Sequence, residues 1–161
     1  MYFCAVSLMR QKYRFRSSLL VRISLFLALI TIVSNCRQDD EDERVPRIAT
    51  DITINLNLPQ YNILLNPGGY LEIPGGSRGI IIYRINNDEF AAFDRHCPYN
   101  VPDRCRVSVD EDSGLLAVDN ECCGSQFEII TGNVVEGPAQ FPLLRFNTQF
   151  NSNTNMLRIT S

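Results

Sequence analysis

Short stretches of alternating apolar and polar residues, separated by turn sequences, are the feature that most limits the fold of this chain. Across residues 51–58, Ile or Leu occupies every second position, and Asp, Thr or Asn fills the positions between. A period of two is typical of a β-strand with one buried face. Pro59 follows directly and ends the pattern. The folded part of the chain is therefore predicted to begin with a half-buried strand.

Further strands follow from the same pattern. They are predicted at residues 62–65, 70–73, 79–85, 89–93, 106–110, 115–119, 126–130, 143–150 and 156–160. Gly, Pro, Asn or Asp residues punctuate most of the intervals, and no segment beyond residue 35 has the 3.6-residue period of a helix. Ile80, Ile81 and Ile82 are apolar without alternation, which predicts a central strand covered on both faces. We predict an all-β chain, a sandwich or partly open barrel of short antiparallel strands.

The first 35 residues have the pattern of a targeting segment for export. An apolar run of 11 residues, 23–33, follows a stretch that contains only basic charges. This order is typical of a signal peptide. The run is also too short for a membrane-spanning helix, which needs about 20 apolar residues. We predict a signal peptide over residues 1–35.

Cys36 stands directly after this segment. The sequence Val-Ser-Asn-Cys at 33–36 resembles the lipobox of bacterial lipoproteins, and the acidic run behind it resembles the export tag of surface lipoproteins. The resemblance implies that Cys36 carries lipid and anchors the protein to a membrane of the bacterial cell envelope, periplasmic or at the outer surface. The alternative is a plain cleaved signal peptide with a solvated linker. Residues 36–50 are predicted to be an acidic flexible tether, and residues 51–161 the domain.

The charge distribution argues against nucleic acid as a partner. All 18 acidic residues lie beyond residue 35, where they face only ten arginines. A protein that holds a phosphate backbone needs a basic patch, and the sequence of the domain contains none.

Four cysteines lie in the predicted domain: Cys97, Cys105, Cys122 and Cys123. An even number in an exported protein usually forms disulfides. A bond between the neighbours Cys122 and Cys123 is excluded, because adjacent side chains in extended backbone point to opposite sides. Two pairings stay open: 97 with 122 and 105 with 123, or 97 with 123 and 105 with 122.

Two cysteine loops and the segments behind them resemble a Rieske iron–sulfur domain. The matching stretches are EFAAFDRHCPY at 89–99, CCGSQF at 122–127, TG at 131–132 and GPA at 137–139. In the family, a first loop C-x-H with a later cysteine precedes a second loop C-P-C-H-G-S-x-F, a T-G turn and a G-P-A segment. The resemblance spans residues 62–161 and implies a Rieske-like fold with two cysteine loops at one tip.

The ligand set of the family is not preserved in this sequence. Rieske centres hold one iron through two cysteines and the other through two histidines. The resemblance places these four positions on Cys97, Tyr99, Asn120 and Cys123, so that both histidines are missing. Only Cys97 and Cys123 then remain as cluster positions.

The other two cysteines also have counterparts in the family. Cys105 and Cys122 fall near the positions of the loop-to-loop disulfide in the Rieske subunits of cytochrome bc complexes. The resemblance therefore implies a Cys105–Cys122 disulfide and leaves Cys97 opposite Cys123.

Three hypotheses for the tip follow. Cys97 and Cys123 form a second disulfide and no cofactor is bound, or they hold a 2Fe-2S cluster, or the cysteines hold zinc or stay free thiols, although the C-x-x-C knuckles of zinc sites are absent. The leader lacks the adjacent arginine pair of the export route for folded proteins, and unfolded export would strip a cluster.

We therefore expect a cluster-free, disulfide-stapled accessory or binding module with no firm metal site. The alternative is a 2Fe-2S electron-transfer component with an unknown redox partner. His96, the only histidine, is expected to be an exposed loop residue, and no catalytic constellation surrounds it, so an enzyme is not expected.

Overall fold

Antiparallel strands make up the regular structure of residues 44–161, the part of the chain that the computed structural model describes, together with two short 3₁₀ helices. The strands are β1 (Asp51–Asn55), β2 (Tyr70–Ile73), β3 (Ile80–Arg84), β4 (Phe90–Asp94), β5 (Ser108–Val109), β6 (Leu116–Val118), β7 (Gln126–Glu128), β8 (Val134–Glu136), β9 (Asn147–Asn151) and β10 (Met156–Thr160). The 3₁₀ helices are Pro59–Leu65 and Val101–Asp103. The prediction of an all-β fold is confirmed for these described residues.

The strands form three antiparallel sheets in the described residues. Their orders are β1-β10-β9, β2-β3-β4 and β5-β6-β7-β8. In the first sheet the earliest strand pairs with the last, from Asp51 opposite Thr160 to Asn55 opposite Met156. The two ends of the domain are therefore held together by one ladder, while the third sheet carries one of the cysteine loops.

Strand β3 lies between two cores, as its sequence predicted. Ile80, Ile81 and Ile82 are all fully buried. Because successive side chains of a strand point to opposite faces, Ile81 joins one apolar cluster with Phe127, and its neighbours join another with Leu157. Each core supports a different sheet beside the central β2-β3-β4 sheet.

The structure corrects three element predictions. Residues 62–65 belong to the 3₁₀ helix and not to a strand, because Pro59 at its first position presets a helical φ and only Leu64 is buried. Strand β8 was not predicted. The predicted strand 143–150 becomes regular only at Asn147, although the preceding residues bond to β4 through Asp94 N–H to Leu144 O and Phe146 N–H to Ala92 O.

The N-terminal predictions fall mostly outside the described residues. The signal peptide and Cys36 lie there, and so does most of the tether. Its last residues are described: Arg44 lies over the ring of Phe141 at 5.9 Å, and Thr50 O accepts the N–H of Ser161 at 3.1 Å. Within residues 44–161 no helix has the length and apolar character to cross a bilayer.

Candidate functional site

Two loops meet at one end of the domain, and we call this region the tip: residues 95–105, which follow β4, and residues 119–125, which follow β6. A disulfide between Cys105 and Cys122 joins the loops, with 6.2 Å between the Cα atoms. This is the pair that the resemblance to Rieske domains implied. The first loop is closed on itself as well, because Cys97 N–H donates to Cys105 O at 3.0 Å.

The tip also brings together the two predicted cluster positions. Cys97 Sγ and Cys123 Sγ lie 3.9 Å apart. Cys97 is fully buried and Cys123 is half-buried. The sequence favoured a disulfide between them, whereas the structure contains two separate thiols. The loops thus present an unbridged dithiol beside a formed disulfide.

The other two aligned positions contribute no ligand of the family type. Tyr99 and Asn120 are exposed, and 43% of the surface of Tyr99 is accessible. Tyr99 lines a groove of about 310 Å³ together with Pro98 and Phe141. Neither residue offers the thiolate or imidazole that a Rieske centre uses.

Asp119 is the residue of the site that the sequence analysis missed. It is fully buried, and its Oδ2 lies 3.0 Å from Cys123 Sγ, whose thiol donates to it. Its Oδ1 accepts the backbone N–H groups of Glu121 and Cys122, each at 3.1 Å. The alternation of β6 was the available signal, because it places Asp119 on the same inward face as Ala117.

Burial and hydrogen bonding have opposite net effects on the two titratable groups of the site, Cys97 and Asp119. Burial raises the pKa of the Cys97 thiol far above its usual value, so the sulfur keeps its proton. Burial would also raise the pKa of Asp119, but hydrogen bonds from both thiols and two backbone amides outweigh it and lower that pKa. At neutral pH the site is a buried carboxylate that accepts hydrogen bonds from thiols.

Backbone amides also act on the two sulfurs. Ser125 N–H donates to Cys123 Sγ at 3.4 Å, and the backbone N–H of Tyr99 partly offsets the effect of burial on the pKa of Cys97. Ser125 is fixed in turn, since its Oγ accepts the N–H of Ala139 at 3.1 Å. A Cβ on Gly137, which has φ +103°, would lie 2.6 Å from the Cα of Ser125, so the Gly-Pro-Ala segment supports the second loop by close approach.

The prediction that His96 is an exposed loop residue is wrong. Only 2% of its surface is exposed. Its Nε2 lies 2.9 Å from Val101 O, to which it must donate, and its Nδ1 bonds to Ser77 Oγ at 2.8 Å. Both ring nitrogens are used, one by Ser77 of the turn at residues 75–79 and the other by Val101 of the first loop. The only imidazole of the sequence therefore has a structural role.

The residues of the tip do not fit a Rieske cluster. Such a cluster needs four ligands in two pairs, one of them a pair of imidazoles. Within residues 44–161, Cys97 and Cys123 are the cysteines that remain free, since Cys105 and Cys122 bond to each other. A cluster held by four cysteines is excluded for the same reason as long as this disulfide is intact.

Comparisons with known proteins found structural neighbours only. No family model matches the chain, and no curated protein matches it. One solved structure, described as a complex of reduced oxygenase and oxidized ferredoxin in carbazole 1,9a-dioxygenase, is 17% identical and covers 71% of this chain and 94% of its own, with a TM-score of 0.46.

A second solved structure is a putative NADH-dependent nitrite reductase small subunit from Mycobacterium tuberculosis. It is 15% identical, covers 71% of this chain and 96% of its own, and has a TM-score of 0.43. Because neither TM-score reaches 0.5, we infer no function, cofactor or partner from these proteins.

Proposed function

We propose that the protein is a Rieske-like domain without an iron–sulfur cluster, a disulfide-stapled accessory or binding module of the bacterial cell envelope. One observation carries the proposal: the tip keeps the disulfide of the family pattern but has lost the ligand set. His96, the only imidazole, is committed to Ser77 and Val101. The Cys105–Cys122 disulfide preserves the shape of the tip. Without the ligands, the tip lacks the electron-transfer chemistry of the family.

The N-terminal sequence supports a location in the envelope. A signal peptide over residues 1–35 would deliver Cys36 for lipid attachment, and the acidic residues behind it would keep the domain in solution near the membrane. A disulfide such as Cys105–Cys122 persists in oxidising compartments and is rare in the cytosol. The predicted signal peptide and the disulfide thus support the same compartment, the oxidising cell envelope.

Metal and sulfide analysis tests the absence of a cluster. The full chain, purified anaerobically, is expected to contain no stoichiometric iron or acid-labile sulfide and to lack visible absorption. About two irons and two sulfides per chain, lost in the Cys123→Ser variant, would instead support the alternative of a 2Fe-2S electron-transfer component. Iron that persists in that variant is adventitious and agrees with the proposal.

Fractionation tests the anchor. The Cys36→Ser variant is expected to move from the membrane fraction to the soluble fraction, because one lipidated residue supplies the attachment. The Cys4→Ser variant is the matched control and should stay with the membrane, since Cys4 lies within the predicted signal peptide. A wild-type protein that is soluble, or a Cys36→Ser variant that stays bound, would contradict lipidation at this position.

A further inference from the structure

The tip gathers three potential metal ligands around one point. Cys97, Asp119 and Cys123 each offer one donor atom, and all three atoms lie within 4.8 Å of one another. Asp119 also forms a second group of this kind with Cys105 and Cys122. That group cannot bind an ion, because its two sulfurs are bonded to each other in the disulfide. The first group is free to do so.

From this cluster we infer a mononuclear site for a thiophilic divalent cation of the Zn²⁺ class, held by the two thiolates and the carboxylate. The inference rests on the proposed function, because a 2Fe-2S core would occupy the same two sulfurs.

The spacing of the donors matches a single tetrahedral ion. Two metal–sulfur bonds of about 2.3 Å at the tetrahedral angle separate the sulfurs by about 3.8 Å. Cys97 Sγ and Cys123 Sγ are 3.9 Å apart. A sulfur and a carboxylate oxygen on the same ion should be separated by about 3.5 Å, whereas Cys123 Sγ and Asp119 Oδ2 lie 3.0 Å apart as donor and acceptor. The oxygen would move outward by about half an ångström when the thiol proton leaves.

The surroundings of the donors hold them in place before an ion arrives. The backbone N–H of Ser125 donates to Cys123 Sγ, and that of Tyr99 lowers the pKa of Cys97 against the larger effect of burial, an arrangement that stabilises thiolates once they form. Asp119 Oδ1 is fixed by two backbone amides, so Asp119 Oδ2 remains directed at the sulfurs. The adjacent Cys105–Cys122 bond keeps the two loops together. These contacts form the outer shell that metal ligands usually have.

The chemistry of the donors selects the class of ion. Two soft thiolates disfavour Ca²⁺ and Mg²⁺, which take oxygen ligands. One hard carboxylate beside them suits borderline Zn²⁺ better than Cu⁺, which prefers sulfur alone. With three protein ligands and a half-buried Cys123, the fourth position would be open to water or to an exogenous ligand. Binding exchanges the two thiol protons for the cation and involves no oxidation or reduction.

Cobalt titration tests the site, since Co²⁺ reports tetrahedral thiolate coordination in its visible and near-ultraviolet spectrum. The full chain, purified anaerobically and freed of metal by a chelator, is expected to bind one equivalent of Co²⁺ and to release it to Zn²⁺. Cys97→Ser and Cys123→Ser should abolish the thiolate bands, and Asp119→Asn should weaken binding at least about tenfold. Glu111→Gln removes an exposed acid and is the matched control, which should bind as the wild type does.

Thiol alkylation of the unaltered chain keeps the test independent of how the variants fold. Zn²⁺ should protect Cys123, the half-buried thiol, from alkylation in the folded chain, whereas the fully buried Cys97 and the disulfide-bonded Cys105 and Cys122 should be unreactive in either case. Equal labelling with and without Zn²⁺ would overturn the inference, and so would a Cys97–Cys123 disulfide in the anaerobically isolated protein. Stoichiometric iron and sulfide would overturn the proposed function as well, whereas failure to bind Co²⁺ in an iron-free chain overturns the metal site alone.

Discussion

Asp94 and Asp119 are both fully buried carboxylates, but they belong to regions with different construction. Asp94 ends β4, where its oxygens accept the backbone N–H groups of the turn at residues 75–79, from Ser77 and Arg78, and also that of His96. Asp119 lies in the tip, where backbone amides bond to one oxygen and the other faces thiols.

The difference separates a structural carboxylate, Asp94, from one that can still accept a stronger partner, Asp119. Backbone N–H groups are strong donors, and three of them compensate Asp94 for the loss of water. Thiols are weak donors, so Asp119 Oδ2, the oxygen that faces them, is less well compensated for the loss of water. Gly76 shows how tightly the first region is built, because its φ is +54° and a Cβ there would collide with the carboxylate of Asp94. The carboxylate of the tip therefore has fewer strong hydrogen-bond donors than the carboxylate of the turn.

Removal of Asp94 should have the largest effect. Asp94→Ala leaves three backbone donors without their charged acceptor, and hydrogen bonds to charged groups contribute about 1.5–3 kcal/mol each. The expected loss in the free energy of unfolding is about 3–5 kcal/mol, measured by urea denaturation.

Asp112→Ala, at an exposed position, is the control and should change the free energy of unfolding by less than about 0.5 kcal/mol. If Asp94→Ala does not fold, Asp94→Asn is the substitute and should be less severe, because it keeps one acceptor oxygen. A loss below about 1 kcal/mol in either variant would show that the turn does not depend on this carboxylate.

Removal of the disulfide should have the next largest effect. The double variant Cys105→Ala/Cys122→Ala opens a loop closed over a sequence separation of 17, and loss of such a bond costs about 2–4 kcal/mol. Hydrogen exchange should rise in both tip loops and stay slow in the ladder of β1 and β10.

The matched control for the disulfide is Cys97→Ala/Cys123→Ala, which removes two thiols and their weak hydrogen bonds to Asp119 but no covalent bond. It should cost less than about 1.5 kcal/mol. An equal cost for both double variants would indicate that Cys97 and Cys123 are bridged as well.

Local pattern was sufficient to predict much of the sheet framework. The strand predicted at residues 156–160 coincides with β10, and β3 is covered on both faces, because alternation and apolar runs report burial directly. The 3₁₀ helix at Pro59–Leu65 was missed, since a short apolar run does not distinguish a strand from a tight helix.

The tip was harder to predict because long-range contacts create it. The burial of His96 depends on a turn some 19 residues earlier in the chain, and the position of that turn depends on Asp94. The approach of Cys97 to Cys123 followed from the loop pattern. The role of Asp119 did not follow from this pattern, because the pattern places a ligand position on its exposed neighbour Asn120.

Asp119→Asn should have a small effect on stability, in contrast to the same change at Asp94. The amide oxygen of Asn can still accept the N–H groups of Glu121 and Cys122, and its NH₂ group can donate to the sulfur of Cys123. The expected loss is about 1 kcal/mol or less by urea denaturation. At Asp94 the NH₂ group would face another N–H donor, so the loss should be larger. Equal losses at the two positions would remove the distinction between the regions.

The smallest effect on stability should come from substitution of Asp51. This carboxylate is exposed and serves as a reference for the two buried ones. Arg158 donates to both of its oxygens, at 2.8 and 2.7 Å, and this hydrogen bonding lowers the pKa of Asp51. Because the folded pKa is the lower one, the stabilisation is fully present above the usual carboxyl pKa of about 3.9. It is lost as pH falls through the depressed pKa of the folded state.

Thermal unfolding of the wild type and Asp51→Asn between neutral and acidic pH measures this contribution. The difference between their midpoints should be small and constant near neutral pH, and should shrink toward zero in acid and in high salt, because water and ions screen an exposed pair. A difference that grows on acidification would mean that the pair does not stabilise the ladder of β1 and β10. The ladder would then depend on its apolar face, where Ile54 packs with Leu157 and Ile159.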